Sequence, residues 1–183
     1  MKRINVVGTS GSGKSTVSKR LAEKLGYPCY EMDALFWKPN WTESTDAELF
    51  DAVRQVTEQP CWVLDGNYNR TASIKWADAD TIVWVDYSLQ RTLYQSLRRS
   101  FSRCISGREL WPGTGNRETF RKSFFSRDSI LLWTVKTYHK NRRRYLTLME
   151  AEEYQHLTFI CLRSPVETSR FLNSIQPEPS DDA

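Results

Sequence analysis

Eight residues near the N-terminus, Gly8-Thr9-Ser10-Gly11-Ser12-Gly13-Lys14-Ser15, constrain this chain more than any other stretch. Their spacing, G-x-x-x-x-G-K-S, follows a β-branched run from Ile4 to Val7. It precedes Val17, Leu21, Ala22 and Leu25 at helical intervals, with Gly26 as the stop. Strand, glycine loop and helix in that order make a cradle in which backbone N–H groups surround phosphates and the helix adds its positive end. The pattern predicts a site for ATP or a similar nucleoside triphosphate on Gly8, Ser10, Gly11, Ser12, Gly13, Lys14, Ser15 and Thr16. Lys14 serves the β and γ phosphates, and the Ser15 hydroxyl is placed to ligate Mg²⁺.

The rest of the chain alternates strands and helices. Tyr27 to Met32 reads as a second strand, Cys61 to Leu64 as a third ending in Asp65-Gly66, Thr81 to Val85 as a fourth and Leu157 to Leu162 as a last. Between them lie an aromatic loop (Phe36, Trp37, Pro39, Trp41), a helix capped by Ser44 or Thr45, and a helix from Ser88 with Leu89, Leu93 and Leu97 on one face. Gly107 to Asn116 breaks the pattern, a basic helical stretch runs from Glu118 to about Met149, and Ser164-Pro165 opens a short final helix. Repeated β-α units specify an α/β fold, a parallel sheet with helices on both faces. We expect one domain over residues 1–175, a lid at about 103–121 and a flexible acidic tail at 176–183.

Hydrophobic residues make up 39% and charged residues 26%, a globular composition with no apolar run long enough for a bilayer. No secretory leader is visible, and Cys29, Cys61, Cys104 and Cys161 form no close pair, so the expectation is a cytoplasmic protein without disulfide framework or membrane partner. The net charge of +4 conceals an asymmetry: residues 91–144 hold 14 Lys or Arg against three acids. Such a segment faces something negative, either nucleotide phosphates beneath a lid or a nucleic-acid backbone.

Several side chains are candidates for chemistry. Asp65 ends an apolar strand, where a carboxylate can hold magnesium, or alternatively cap a turn. Asp86 reads as an N-cap or turn residue. Arg99, Arg103, Arg108 and Arg117 flank the glycine-rich segment, and one or two of them, with Arg103 assigned to the nucleotide, are expected to reach the phosphates. One of Arg142, Arg143 and Arg144, written here as Arg143, is expected to reach the phosphates, because three consecutive helical residues cannot share a face. Trp37, Trp41 and Tyr68 are placed either to stack on a planar base or bound sugar or to serve core and lid packing. His139 and His156 read as surface residues.

Together the loop, the Leu64-Asp65-Gly66 strand end with Arg70-Thr71 after it, Arg98-Arg99 and the arginine-bearing lid resemble the nucleoside monophosphate kinases, adenylate kinase above all. Met32-Asp33-Ala34-Leu35-Phe36-Trp37-Lys38-Pro39 and Asp65-Gly66-Asn67-Tyr68 resemble more closely the small bacterial adenylate-kinase-related, or DNA topology modulation, proteins. The resemblance implies a P-loop NTPase three-layer fold with five parallel strands, an acceptor segment after strand two and an arginine-rich lid. It carries Mg²⁺ association to Asp65 and, allowing one extra residue of spacing, grip on an acceptor phosphate to Arg70. Asn67, Arg99 and the aromatics fall on the acceptor side, and Arg163 and Pro165 beside the nucleotide base. An aspartate at position 33, where adenylate kinase has Thr-Gly-Asp, resembles instead shikimate or gluconate kinase, in which such a group contacts an acceptor hydroxyl. The function implied is transfer of the γ-phosphoryl of Mg-ATP to a nucleotide or small-molecule acceptor, with Lys14, Asp33, Arg108, Arg117 and Arg143 catalytic. The alternative is an ATP-binding regulatory or nucleic-acid-associated protein that uses segment 91–144.

Overall fold

The computed structural model describes residues 1–120 and 130–176. Position 121 of the expected lid, the helical stretch to 129 and tail residues 177–183 lie outside them. Five parallel strands form one sheet in the order β2-β5-β1-β6-β7: β1 (Arg3–Gly8), β2 (Cys29–Glu31), β5 (Trp62–Asp65), β6 (Thr81–Val85) and β7 (Thr158–Leu162). A two-residue antiparallel pair, β3 (Trp37–Lys38) with β4 (Thr42–Glu43), stands apart. β1 is central, with Val6 in register with Asp65 on one side and Val83 on the other.

Alternation along the buried strands divides the core into two layers. Ile4, Val6, Val63, Val83 and Val85 face α1 (Lys14–Leu25) and α7 (Pro165–Ser174), meeting Val17, Leu21 and Leu172. Val7, Trp62, Leu64, Ile82 and Trp84 face the other way, onto Leu49 and Val53 of α3 (Asp46–Thr57), Trp76 of α4 (Ala72–Asp78) and Tyr145 of α6 (Ile130–Glu150). The sequence pattern reveals neither α4 nor α2 (Met32–Phe36), the latter falling where an extended strand end and loop are expected. Both are under eight residues, and α4 turns a lysine, Lys75, into the core, which erases the amphipathic signal.

α5 (Leu89–Ser106) departs further from its pattern. It buries Thr92, Ser96 and Ser100, each 0% exposed, and leaves Tyr94, Leu97, Phe101 and Ile105 at 43–65% exposure. The reason is close approach. A Cβ added to Gly11 (φ +84°) would stand 2.7 Å from Ser96 Cβ and 2.9 Å from the Thr92 carbonyl oxygen, so only small side chains fit where α5 crosses the phosphate loop.

Candidate functional site

The glycine loop joins β1 to α1, and no side chain caps that helix at Gly13, so its first N–H groups open toward a cavity of about 330 Å³. Gly11, Gly13, Lys14, Ser15, Thr16 and Lys19 form one wall, and Gln95, Arg99 and Arg103 of α5 form the other. Those three α5 residues recur every four positions, which places them on one helix face. Beyond Gly13 and Thr16 a smaller hollow of about 140 Å³ is lined by Arg20, Tyr87, Pro165 and Thr168, among others.

Ser10 sits where the loop meets both later helices. Arg99 Nη2 donates to its hydroxyl at 3.3 Å, and Thr134 Oγ1 of α6 donates to its carbonyl at 3.3 Å. Burial, then the neighbouring Arg103, holds the Arg99 guanidinium below its ordinary pKa, and its Nε meets no hydrogen-bond acceptor among the described residues. Arg99, expected either with the acceptor or among the lid arginines that reach the phosphates, lines the cavity beside the glycine loop. Arg103 lines the same cavity while paired to Glu118 at 2.8 Å.

Asp65, in register with Glu31 and Val6, is 5% exposed at the C-terminal end of β5. Burial raises its carboxyl pKa, with Lys14 and a hydrogen bond from Ser15 opposing, and its Oδ1 has no protein donor among the described residues. A buried carboxylate oxygen in want of a partner next to a serine hydroxyl is a hard-oxygen donor set that suits Mg²⁺. Among the described residues no group of three or more His, Cys, Asp or Glu could hold a metal.

The turn after Asp65 links both halves of the site. The Asn67 side chain grips Gly8 twice, donating Nδ2 to its carbonyl and accepting its N–H on Oδ1, each at 2.9 Å. Tyr68 (φ 28°) donates its hydroxyl to Asp33 Oδ1 at 2.8 Å. Asp33 lies exposed in α2, at the C-terminal edge of the sheet where ligands bind in open α/β folds. An aromatic run adjoins it: the rings of Phe36 and Tyr68, Phe36 and Trp37, Trp37 and Trp41, and Trp41 and Trp111 stand 4.9 to 5.9 Å apart. Trp37 is thus packed between two neighbours. Arg70 forms an ion pair with Asp46 at 2.7 Å and lies over the Phe36 ring at 4.9 Å.

The glycine-rich segment docks on this aromatic run. Asn116, 1% exposed, accepts the Trp41 N–H at 2.8 Å and donates to the Lys38 carbonyl at 2.9 Å. Arg108 and Arg117 are exposed and line neither hollow, with Arg117 bridged to Glu109 through the backbone. Of the arginine triplet, Arg143 is exposed on α6, while Arg142 Nε donates to Asp86 Oδ2 at 3.0 Å. Asp86 is therefore an ion-pair partner and Ser88 is the N-cap of α5. Pro165 lines the smaller hollow, whereas the Arg163 side chain turns toward Asp86 and Cys161. His156 is exposed and shares a hydrogen bond with the Trp76 carbonyl. Gln95, Lys19, Lys75 and Asn116 were not singled out by the sequence, although four-residue spacing ties Gln95 to Arg99.

Comparison with known proteins agrees with this architecture. A curated relative, the shikimate kinase of Persephonella marina, is 27% identical over 149 residues, 71% of this chain and 84% of the relative. The crystal structure of a shikimate kinase from Bacteroides thetaiotaomicron superposes with a TM-score of 0.53 at 15% identity over 94% of both chains. That of the Acinetobacter baumannii shikimate kinase in complex with shikimate gives 0.52 at 13% identity, over 94% of this chain and 89% of that one. At such identities the solved structures establish the fold, a P-loop core with five parallel strands between helices. No helix among the described residues is long and apolar enough to cross a membrane. The AAA domain family model matches residues 4–101, more than half of the sequence and including the phosphate loop, Asp33, Asp65 and Arg99, and the chain belongs to that family.

Proposed function

We propose that this protein is an ATP-dependent small-molecule kinase that phosphorylates a hydroxyl group. The kinase class rests on the relatives and on the phosphate loop. One observation carries the choice of acceptor: Asp33 is exposed and oriented by the Tyr68 hydroxyl at 2.8 Å, as a proton acceptor for an incoming O–H requires. Arg70, the residue an acceptor phosphate would need, is occupied by Asp46 and Phe36. The curated relative is named for shikimate, a cyclic polyol acid, and the half-buried Tyr68 ring, bonded to Asp33, suits contact with a compact polyol.

In this reading the loop amides and Lys14 bind the triphosphate, and the smaller hollow beside Pro165 receives the base. Ser15 and Asp65 would hold Mg²⁺, whose charge offsets that of the phosphates. The acceptor oxygen forms a bond to Pγ as the bond from Pγ to the β-bridging oxygen breaks; ADP leaves and the hydroxyl proton passes to Asp33. Transfer spreads charge over the γ-phosphoryl oxygens, and Arg99 and Arg103, on the cavity wall, are placed to neutralise it. Arg108, Arg117 and Arg143 require movement of their segments to take part.

The test is ATP consumption with Mg²⁺ across shikimate, other polyols, nucleosides and nucleoside monophosphates, run with Lys14→Ala and Asp33→Asn. Turnover with a hydroxyl acceptor is expected, abolished by Lys14→Ala and lowered about 10²- to 10⁴-fold in kcat by Asp33→Asn. Turnover with a nucleoside monophosphate that Asp33→Asn leaves intact would overturn the proposal.

A further inference from the structure

Lys75 is 0% exposed in α4, and no carboxylate among the described residues pairs with it. Burial, reinforced by Arg144 and opposed by Asp65, pushes its pKa down to about 7. An amine buried at such cost marks a place where its donors are needed. Nζ donates to the carbonyls of Gly66, at 3.1 Å, and of Asn67. An amine retains N–H donors in both protonation states, so the contacts survive loss of the proton.

Those carbonyls belong to a turn that touches both substrate sites. Gly66 (φ +139°) lies so near α2 that an added Cβ would fall 2.6 Å from Met32 Cβ, the neighbour of Asp33. The Asn67 side chain holds both backbone groups of Gly8, where the phosphate loop begins. Tyr68, with a φ of 28° that aromatic residues rarely adopt, reaches Asp33. A strained turn persists only where its surroundings determine it, and Asn5 Nδ2 adds to Lys75 by donating to the Leu64 and Gly66 carbonyls, at 2.8 and 3.1 Å.

We propose that Lys75 is a positioning residue: by fixing the Gly66–Tyr68 turn it sets the phosphate loop, through Asn67, and the acceptor base, through Tyr68, in one rigid frame. The acceptor half of this inference rests on the kinase reading; the donor half does not. The test is calorimetric binding of Mg²⁺ with a non-hydrolysable ATP analogue to wild type, Lys75→Met, Asn67→Ala and the double variant, beside thermal melting. Loss of one or two hydrogen bonds to the frame weakens nucleotide binding about tenfold in each single variant. Because both act through one turn, the double variant binds no more than about twofold worse than the poorer single. Methionine removes the cost of burying the amine but leaves the Gly66 and Asn67 carbonyls short of a donor, two opposing effects, so melting moves by only a few degrees while affinity falls, a separation that a merely structural lysine would not produce. Should Lys75→Met not fold, Lys75→Gln, a shorter donor, is read in the same way. Affinity within twofold of wild type in a folded Lys75 variant, or losses that multiply in the double variant, overturns the inference. Absence of turnover in every variant, with these binding differences intact, counts against the kinase reading alone. With turnover in hand, Tyr68→Phe lowers kcat in wild type and has little further effect in Lys75→Met.

Discussion

Asp65 keeps a carboxylate where the fold alone would do better without one. At 5% exposure, with one oxygen lacking a donor among the described residues, its ionised form carries a desolvation cost that raises its pKa. A folded-state pKa above the unfolded value means the folded chain binds more protons, so this group subtracts stability as pH rises through the carboxylate range. Asp65→Asn is therefore expected to stabilise the metal-free protein at neutral pH by about 1–3 kcal/mol. The same change should strongly weaken magnesium-dependent nucleotide binding. Melting at pH 4 and pH 7, paired with magnesium titration, checks both; a variant less stable than wild type at neutral pH would count against the assignment. At this scale Lys14, Ser15 and Asp65 were legible because the chemistry of each is tied to its own strand or loop. Arg142 was not distinguishable from Arg143, since the 3.0 Å contact with Asp86 depends on how α6 rotates against the sheet.

Among the elements, α5 inverts the usual rule that a surface helix turns its apolar stripe inward. Thr92 and Ser96 lie against the phosphate loop because backbone proximity at Gly11 leaves no room for leucine, and Tyr94, Leu97, Phe101 and Ile105 are left outside. Ser96→Leu should therefore cost about 1–3 kcal/mol by overpacking and also weaken nucleotide binding. Leu97→Gln, one position along and 43% exposed, should stay within about 0.5 kcal/mol of wild type. Denaturant melts of the two variants compare the faces; a larger loss from Leu97→Gln would mean the stripe is covered. Periodicity announces that a helix is there and which residues share a face, but which face is buried was decided by its partner. Gln95, Arg99 and Arg103 owe their place on the cavity wall to the same rotation.

For the molecule as a whole, the glycine-rich segment is tied to the aromatic loop by Asn116, which bonds backbone groups of Lys38 and Trp41 some 75 residues earlier in the chain. Asn116→Ala should release that segment: cleavage by a protease near Gly113 and Gly115 rises several-fold, while the melting temperature of the core is nearly unchanged. Unaltered proteolysis would show that the Trp41 and Trp111 ring contact holds the segment by itself. The sequence by itself determined the alternating β-α order, the phosphate cradle with its Lys14 and Ser15, the strand-end aspartate and the concentration of arginines after β6. Each is written in neighbouring residues, as a period, a glycine spacing or a charge count. Only the tertiary structure decided that Lys75 enters the core, that Arg99 reaches Ser10 of the glycine loop, that Arg70 is taken by Asp46 and Phe36, and that Asn67 and Tyr68 join the loop to Asp33. These contacts join residues eight to about 90 positions apart, and where such side chains meet is set by the packing of whole elements, which no local pattern encodes.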